Sequence, residues 1–414
     1  MSNNFSDTVF SLGELYVSDF VNDNDDARGG KHDLSIVIDE RYGAARLKNP
    51  VSVHNMFGKY WYRSGINASM RSELQSIVTS ICSTIKLETS DLWLDIACND
   101  GTLLSFVPSN IKKLGIDPAD NSFYNESSQH ADQVIQDFFT KENYQKSKFK
   151  DIKAKIITCI AMFYDLDEPE LFLNDVYDIL DDDGLLVLQM SYTPLMIHQL
   201  AFDNICHEHV YYWSLISIEK LLNKCGFTIR DCQLNDTNGG SYRLYIQKII
   251  SNESFFGTVP YRDVCNFRID SLKCFETTQK LDDPLTWLNF YKRINQLKEK
   301  TLSFIKQEKN NGKTIFGYGA STKGNTLLQY FKLDSSLVTC IAERSPYKYG
   351  LKTVGTNIPI ISEEEMRKTH PDYLLILPWH FISEFLVRES DYLNKGGKFI
   401  IPCPEFKVVG KNET

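Results

Sequence analysis

Leu94-Asp95-Ile96-Ala97-Cys98-Asn99-Asp100-Gly101 closes an apolar run that begins at Leu92, and a helix-like stretch, 102–106, follows it. Apolar strand, small polar turn and helix start together make the βα junction of an open α/β sheet, where ligands bind beyond the carboxyl ends of strands. Small turn residues let the backbone come close to a ligand. Outward from this junction, apolar bursts at 113–116, 155–160 and 184–190 predict further strands, and 171–180 carries helical spacing. Strands alternating with helices predict a mostly parallel sheet covered on both faces. Residues 228–231 and 241–249 predict two late strands paired around the turn Asp236-Thr237-Asn238-Gly239-Gly240.

A chain of 414 residues has room for two or three domains. Residues 1–75 read as a small N-terminal module: a polar arm with one strand, 34–38, and the aromatic cluster Tyr60-Trp61-Tyr62. Residues 76–250 form the α/β core just described. Residues 251–310 read as a helical connector, in which 285–306 has helical spacing and Pro284 suits a helix start. In residues 311–414 the alternation resumes, with strands at 314–318, 337–342, 373–377 and 398–401 and a helix at 325–331, which predicts a second, smaller α/β unit.

The net charge of −9, with no long basic run, argues against nucleic acid as the main partner, because phosphate binding needs clustered Lys and Arg. No apolar stretch approaches the roughly 20 residues that span a bilayer. Residues 1–26 are polar and acidic, unlike a signal peptide, so a cytoplasmic protein is expected. Ten cysteines are scattered without a Cys-x-x-Cys pair, which reads as reduced core thiols; a cysteine zinc site needs closer pairing, and no metal is expected.

Candidate cofactor residues follow the strand ends. Asp95, Ala97, Asn99 and Gly101 stand at the first; Asp117 and Pro118 end Gly115-Ile116-Asp117-Pro118, where a carboxylate accepts from ribose hydroxyls; Asp137 and Phe138 follow in Ile135-Gln136-Asp137-Phe138-Phe139, where an acid accepts from an adenine amino group and a ring lines the base. Met162, at the next strand end, completes the set. Any single acid reads as an ordinary strand-end cap. Three in order fit an adenosine ligand without pyrophosphate, the methyl donor S-adenosyl-L-methionine, whereas a dinucleotide site wants Gly-x-Gly-x-x-Gly where this chain has Ala97, Asn99 and Gly101.

Several phrases carry a wider likeness: Tyr60-Trp61-Tyr62-Arg63-Ser64-Gly65, the stretch 95–104, His207-Glu208-His209, Asn238-Gly239-Gly240-Ser241-Tyr242-Arg243, Gly317-Tyr318-Gly319-Ala320-Ser321-Thr322-Lys323-Gly324-Asn325, Pro378-Trp379 and Gly396-Gly397-Lys398-Phe399. In this order, over residues 12–405, the sequence resembles the sugar C-methyltransferase family, which methylates nucleotide-linked deoxyketosugars. The resemblance implies a small N-terminal module, a class I S-adenosylmethionine methyltransferase core with a Rossmann-like α/β sheet, and a second, C-terminal Rossmann-like domain. It implies a nucleotide-sugar held between core and C-terminal domain, and methyl transfer to a ring carbon beside a ketone, C3 of a 4-keto-6-deoxysugar. The chain departs from the family in three places. Family members usually hold a zinc ion with two Cys-x-x-Cys pairs in the N-terminal module; the second would fall near Asp39-Glu40-Arg41-Tyr42-Gly43, yet the first cysteine is Cys82, which predicts loss of the zinc. Cys206 stands where the family often has tyrosine, and Ala161-Met162-Phe163-Tyr164-Asp165 replaces a phrase often written Asn-Val-Phe-Ala-His. The last two lie near the expected chemistry and leave the sugar and the base open.

Methylation of a carbon beside a ketone needs a general base near the carbon and a hydrogen-bond donor near the ketone oxygen, and no metal. Histidine suits the base. The expected base is His209, with Glu208 orienting it or holding a sugar hydroxyl, His207 as a second polar contact, and Tyr62 and Tyr60 as donors to the oxyanion. Taken alone, two histidines around a glutamate more often tie down a loop; the resemblance turns the reading towards catalysis, and the phrase lacks the His-Glu-x-x-His spacing of a metal site. The turn 317–325 follows a strand and opens a helix, so Lys323, with Tyr318 and Asn325 beside it, is expected to hold the substrate's diphosphate or sugar unless the turn merely packs. Asn325 stands where a P-loop needs lysine, and Thr322 where a dinucleotide turn needs its third glycine. Arg243 has two open readings, substrate phosphate or a buried acid. Tyr330, Trp379 and His380 read first as core packing and second as pocket lining. Three alternatives remain at this level: an O- or N-methyltransferase of another small molecule, an NAD-dependent nucleotide-sugar oxidoreductase, and a non-catalytic binding protein. Monomer and homodimer are both open.

Overall fold

The structure, a computed structural model, describes residues 5–22, 30–52, 56, 61–252 and 256–411. The N-terminal segment is more than a polar arm. β1 (Phe10–Tyr16), β3 (Lys31–Asp39) and β4 (Ala44–Leu47) pair antiparallel, and Phe10, Leu12, Leu15, Leu34, Ile36 and Ile38 bury one face. Both ends of this small sheet are stitched to the rest of the chain. Its fourth strand, Tyr211–Tyr212, comes from the core segment and pairs with β4, while β2 (Phe20–Val21) pairs with Lys352–Thr353 of the C-terminal unit. The helix Ala68–Thr84 crosses the boundary expected at residue 75.

The core segment contains β5 (Leu92–Ile96), β6 (Lys112–Ile116), β7 (Gln133–Ile135), β8 (Ala154–Ile160), β9 (Leu180–Ser191), β10 (Tyr211–Tyr212, in the small sheet), β11 (Phe227–Asn235) and β12 (Ser241–Lys248), and its sheet is formed by the other seven, ordered β11-β12-β9-β8-β5-β6-β7. All pairs among β7, β6, β5, β8 and β9 are parallel; β12 runs against both neighbours. Every residue of β5 is buried, as befits a strand covered on both faces. From β5 the chain goes out to β6 and β7 and then returns to β8 on the other side, so strand order reverses at β5, and a crevice opens beyond the carboxyl ends of β5 and β8.

Two helices, Val259–Gln279 and Pro284–Asn310, lead to the last unit; Pro284 opens the second, whose start the Asp283 side chain caps. The last unit holds β13 (Ile315–Tyr318), β14 (Ile341–Glu343), β15 (Lys352–Thr353), β16 (Ile360–Ser362), β17 (Tyr373–Ile376), β18 (Lys398–Ile401) and β19 (Lys407–Val409). Its sheet runs β16-β14-β13-β17-β18-β19, parallel except for β19, and again reverses order at its first strand, β13. One hydrophobic core joins this unit to the N-terminal sheet and to Trp287, Phe290 and Ile294 of the connector. Among the described residues, no helix is long and apolar enough to cross a membrane.

Candidate active site

A cleft of about 1320 Å³, open to solvent, lies beyond β5 and β8. Asp95, Ala97 and Asn99 line it from the end of β5, Asp117 and Pro118 from β6, Phe138 from the loop after β7, and Met162 and Asp165 from the end of β8. The loop after β5 takes left-handed backbone conformations at alternate residues: Ala97, Asn99 and Gly101 have φ of 57°, 52° and 76°. The Asp117 carboxylate ties two loops together, accepting from the Asn99 and Ala119 amides at 2.8 Å each. Asp95, wholly buried, accepts from the Thr158 hydroxyl at 2.6 Å; burial pushes its carboxyl up to about 7 against that hydrogen bond.

A strap, residues 62–65, is laced across the mouth of the cleft. The Asn99 side chain donates to the Tyr62 carbonyl at 3.0 Å and accepts from the Ser64 amide at 3.1 Å, and Asp100 accepts from the Gly65 amide at 2.7 Å. Arg63 lies 3.9 Å from the centre of the Phe123 ring and pairs with Glu126 at 2.5 Å. The Tyr62 ring lines the cleft; its hydroxyl is buried without a formed hydrogen bond, with Asn67 close by, and burial and the Asp100 charge raise its pKa well above the ordinary phenol value.

The far wall, at Tyr164 and Asp165, leads from this cleft to the boundary with the C-terminal unit. The Tyr164 ring packs 4.2 Å from the His209 ring. Lys323, one residue into the helix after β13, reaches across and donates to Asn204 Oδ1 at 2.6 Å. Its charge acts on Asp165, Asp203, Glu208, His209 and His380. Trp379 Nε1 donates to Asp203 at 3.2 Å across the same boundary. A Cβ on Gly239, whose φ is 87°, would lie 3.3 Å from the Trp379 ring, so the two units meet closely there. Burial, then the charge of Glu208, raises Asp165 well above the carboxylate range, and Asp165 Oδ1 and Asp203 Oδ1 are buried without hydrogen bonds. Burial pushes Glu208 up to about 7, with Lys323 opposing. His209 Nδ1 sits 2.8 Å from the Asn204 carbonyl oxygen. A carbonyl only accepts, so Nδ1 carries the proton and Nε2 keeps its lone pair. Burial, and then Lys323, holds His209 down to about 3.

Residues 66–231 match the family described as "Methyltransferase domain", and residues 236–404 match "C-methyltransferase C-terminal domain". The C-methyltransferase NovU of Streptomyces niveus is 27% identical over 412 residues, covering 98% of this chain and 95% of that protein. These matches together support a C-methyltransferase family for this chain. Among solved structures, magnesium protoporphyrin IX methyltransferase from Synechocystis PCC 6803 with bound SAM is 14% identical, covers 43% of this chain and 79% of that one, and has a TM-score of 0.32. The plantazolicin methyltransferase BpumL in complex with SAH is 11% identical, with 42% and 82% coverage and a TM-score of 0.34. The core of this C-methyltransferase is a class I S-adenosylmethionine-dependent fold, and a second α/β domain follows it.

The cleft suits the cofactor of this methyltransferase, S-adenosyl-L-methionine. Two buried polar atoms that line it, Tyr62 Oη, which has Asn67 close by, and Asp165 Oδ1, form no hydrogen bond among the described residues, which fits a cleft that takes S-adenosylmethionine together with a polar co-substrate. Asp117 would hold the ribose hydroxyls, Pro118 and Phe138 the base, and Asn99 and Ala97 the backbone-facing side. Two expected cofactor residues stand behind the wall instead of lining it. Gly101 starts the helix Thr102–Phe106, and Asp137 turns back to accept from the Phe138 amide at 2.7 Å.

The structure redistributes the other expected residues of the methyltransferase. His207 turns from the cleft to the N-terminal sheet: its Nε2 is 3.1 Å from the His32 carbonyl, so it ties a loop there. Glu208 makes no hydrogen bond with His209; the Asn204 carbonyl orients that ring, and Glu208 faces Lys323 and Asp165. Arg243 pairs with Glu73 at 2.7 Å and donates to Gln189 at 2.8 Å, which resolves its two readings in favour of a buried acid. Tyr318 is buried in the C-terminal domain with its hydroxyl 2.8 Å from Glu389. Asn325 donates to the Asp19 carbonyl at 3.0 Å, facing the N-terminal module. The turn 317–325 offers little to a phosphate. Ala320 N–H goes to Glu343 at 2.7 Å, Gly324 N–H to the Ser321 hydroxyl at 2.9 Å, and Gly319 N–H to Ala342 at 2.8 Å. Lys323 already donates to Asn204 and has Asp165, Asp203 and Glu208 around it, which leaves the sugar half of that expectation. Tyr330 donates to Asn295 at 2.7 Å and packs on Phe202. Tyr60 lies outside the described residues. Sequence reasoning missed Asp203 and Asn204; two polar residues between Phe202 and Ile205, just before the Cys206–His209 phrase, were the available signal.

Proposed function

We propose that this C-methyltransferase methylates a nucleotide-linked 4-keto-6-deoxysugar at C3, the carbon beside the ketone, through a base-generated enolate. The observation that carries the reading is the continuity, through Tyr164 and Asp165, of the cofactor cleft with a cluster of carboxylates, a neutral imidazole and a lysine. A proton acceptor and a cation beside a methyl donor suit an acidic C–H; O- or N-methylation requires no carbon acid. In this reading the ring lies at the boundary of the two domains, its hydroxyls towards Asp203 and Glu208 and its ketone oxygen towards the donor Lys323, which stabilises charge as it develops. S-adenosylmethionine, when bound, supplies the electrophilic methyl that the enolate carbon takes, the S–C electron pair remaining on sulfur. The sugar itself comes from the resemblance carried by the phrases 60–65, 207–209, 238–243 and 317–325.

The test is mass spectrometry of the enzyme with S-adenosylmethionine and a panel of nucleotide-linked 4-keto-6-deoxysugars in heavy water. The expected product is one methylene heavier, and unreacted substrate carries deuterium beside the ketone. Methylation of an oxygen or nitrogen acceptor without carbon-bound deuterium would replace this reading.

A further inference from the structure

We infer that Asp165 is the group that takes the proton from the substrate carbon, within a carboxylate pair completed by Glu208 and poised by Lys323 from the C-terminal domain. The inference rests on the C-methylation reading above and names its base. Asp165 is 8% exposed, lines the cleft at the end of β8 beside Met162, and has an oxygen, Oδ1, without a hydrogen bond. A buried carboxylate oxygen left unpartnered costs free energy, which a ligand that completes it returns. The other acids of the cleft are engaged with the protein: Asp95 accepts from Thr158, and Asp117 from two amides. His209 is a weaker candidate than the sequence suggested. Its ring packs behind Tyr164 and does not line the cleft, and burial beside a cation leaves it little affinity for a proton.

Among the described residues, the charged groups that act on Asp165 are Glu208 and Lys323; Cys159, Cys206 and Tyr212, which its charge also reaches, are kept neutral by burial. Two carboxylates in one buried place share a proton, so their titration belongs to the pair, and the cation limits how far the ionised form is disfavoured. The ionised Asp165 takes the proton as the C–H bond breaks, and that bond's electron pair enters the enolate, with charge on the ketone oxygen. After methyl transfer the proton passes from Asp165 to Glu208 and out to solvent.

The experiment measures solvent-deuterium exchange at the sugar carbon, with S-adenosylhomocysteine filling the cleft, and methyl transfer with S-adenosylmethionine. Asp165→Asn should lower both by about 100-fold or more, the scale of a positioned base, while S-adenosylhomocysteine affinity by calorimetry stays unchanged. Asp165→Glu should restore part of the exchange. The acid limb of kcat/KM against pH adds a second readout: Glu208→Gln, which removes a like charge, should move it to lower pH, and Lys323→Met, which removes the cation, to higher pH. A folded Asp165→Asn enzyme that exchanges at the wild-type rate would overturn the assignment, as would limbs that stay in place in both other variants, whether or not Asp165→Asn folds. A wild-type enzyme inert towards every ketosugar while still binding S-adenosylhomocysteine would overturn the substrate reading and this assignment with it, and is told apart because the failure appears before any substitution.

Discussion

Arg243 is 6% exposed and divides its guanidinium among Glu73, Ser76 and Gln189, at 2.7, 3.0 and 2.8 Å. Gln189 lines the cleft, so Arg243 reaches the site only through it. Removing one partner of a largely buried pair leaves the other charge unpaired, and Glu73 keeps some solvent, so Arg243→Ala should cost about 2–4 kcal/mol in urea unfolding. Substrate KM should change little by comparison. A phosphate ligand would give the reverse pattern, a raised KM with stability intact, and that outcome would reinstate the reading the ion pair displaces. The same contrast separates the histidines of the 206–209 loop. Their identity is plain in the sequence, but an irregular loop has no period, so nothing local says that His207 points to His32 and His209 to the Asn204 carbonyl.

Gly101 sits between the loop after β5 and the helix Thr102–Phe106, with φ of 76°. A Cβ there would lie 2.7 Å from the Ser127 Cα, a backbone atom of the helix Asn121–Ser127 that cannot swing aside. Gly101→Ala therefore combines left-handed strain of about 1 kcal/mol with a clash between the two helices that flank the cofactor loop. The expected result is at least about a tenfold loss of S-adenosylmethionine affinity, measured by calorimetric titration, with far-ultraviolet circular dichroism unchanged. An unaltered Kd would mean that the loop position does not depend on this contact. Elements of this kind were the legible part of the sequence. β5, β8 and β9 announce themselves as apolar runs because they are buried on both faces, and the turn 236–240 joins β11 and β12 as its Gly-rich composition predicts. β1 was not legible, for a physical reason. Its ladder shifts register between Ser11 and Glu14, around Gly13, so its inward residues Phe10, Leu12 and Leu15 are spaced two and then three apart, and the alternation that marks a strand is broken. The two-residue strand Tyr211–Tyr212 is too short for any period.

At the scale of the whole molecule the three segments are cross-braced in ways that no local pattern encodes. Lys323 meets Asn204, and Gln329 holds the Tyr16 amide and carbonyl at 2.8 and 3.1 Å. β4 pairs with a core strand and β2 with a C-terminal one, and one apolar core runs from Phe10 through Phe202 to Cys403. The cofactor cleft belongs to the core domain, yet its far wall abuts residues of the C-terminal domain through Asp165 and Lys323. Such a chain should unfold as one cooperative unit, since opening any segment strips apolar surface from the other two. Differential scanning calorimetry should then show a single transition. S-adenosylmethionine at one hundred times its Kd should stabilise that whole unit by about 2.7 kcal/mol and move the transition up by about 3 °C for a chain of this length. Two resolved transitions, of which only one responds to the cofactor, would mean that the contact between Lys323 and Asn204 does not couple the domains. The carboxylate pair at Asp165 would then have to be poised by the core alone, and the shift of the pH limb expected for Lys323→Met would vanish with it.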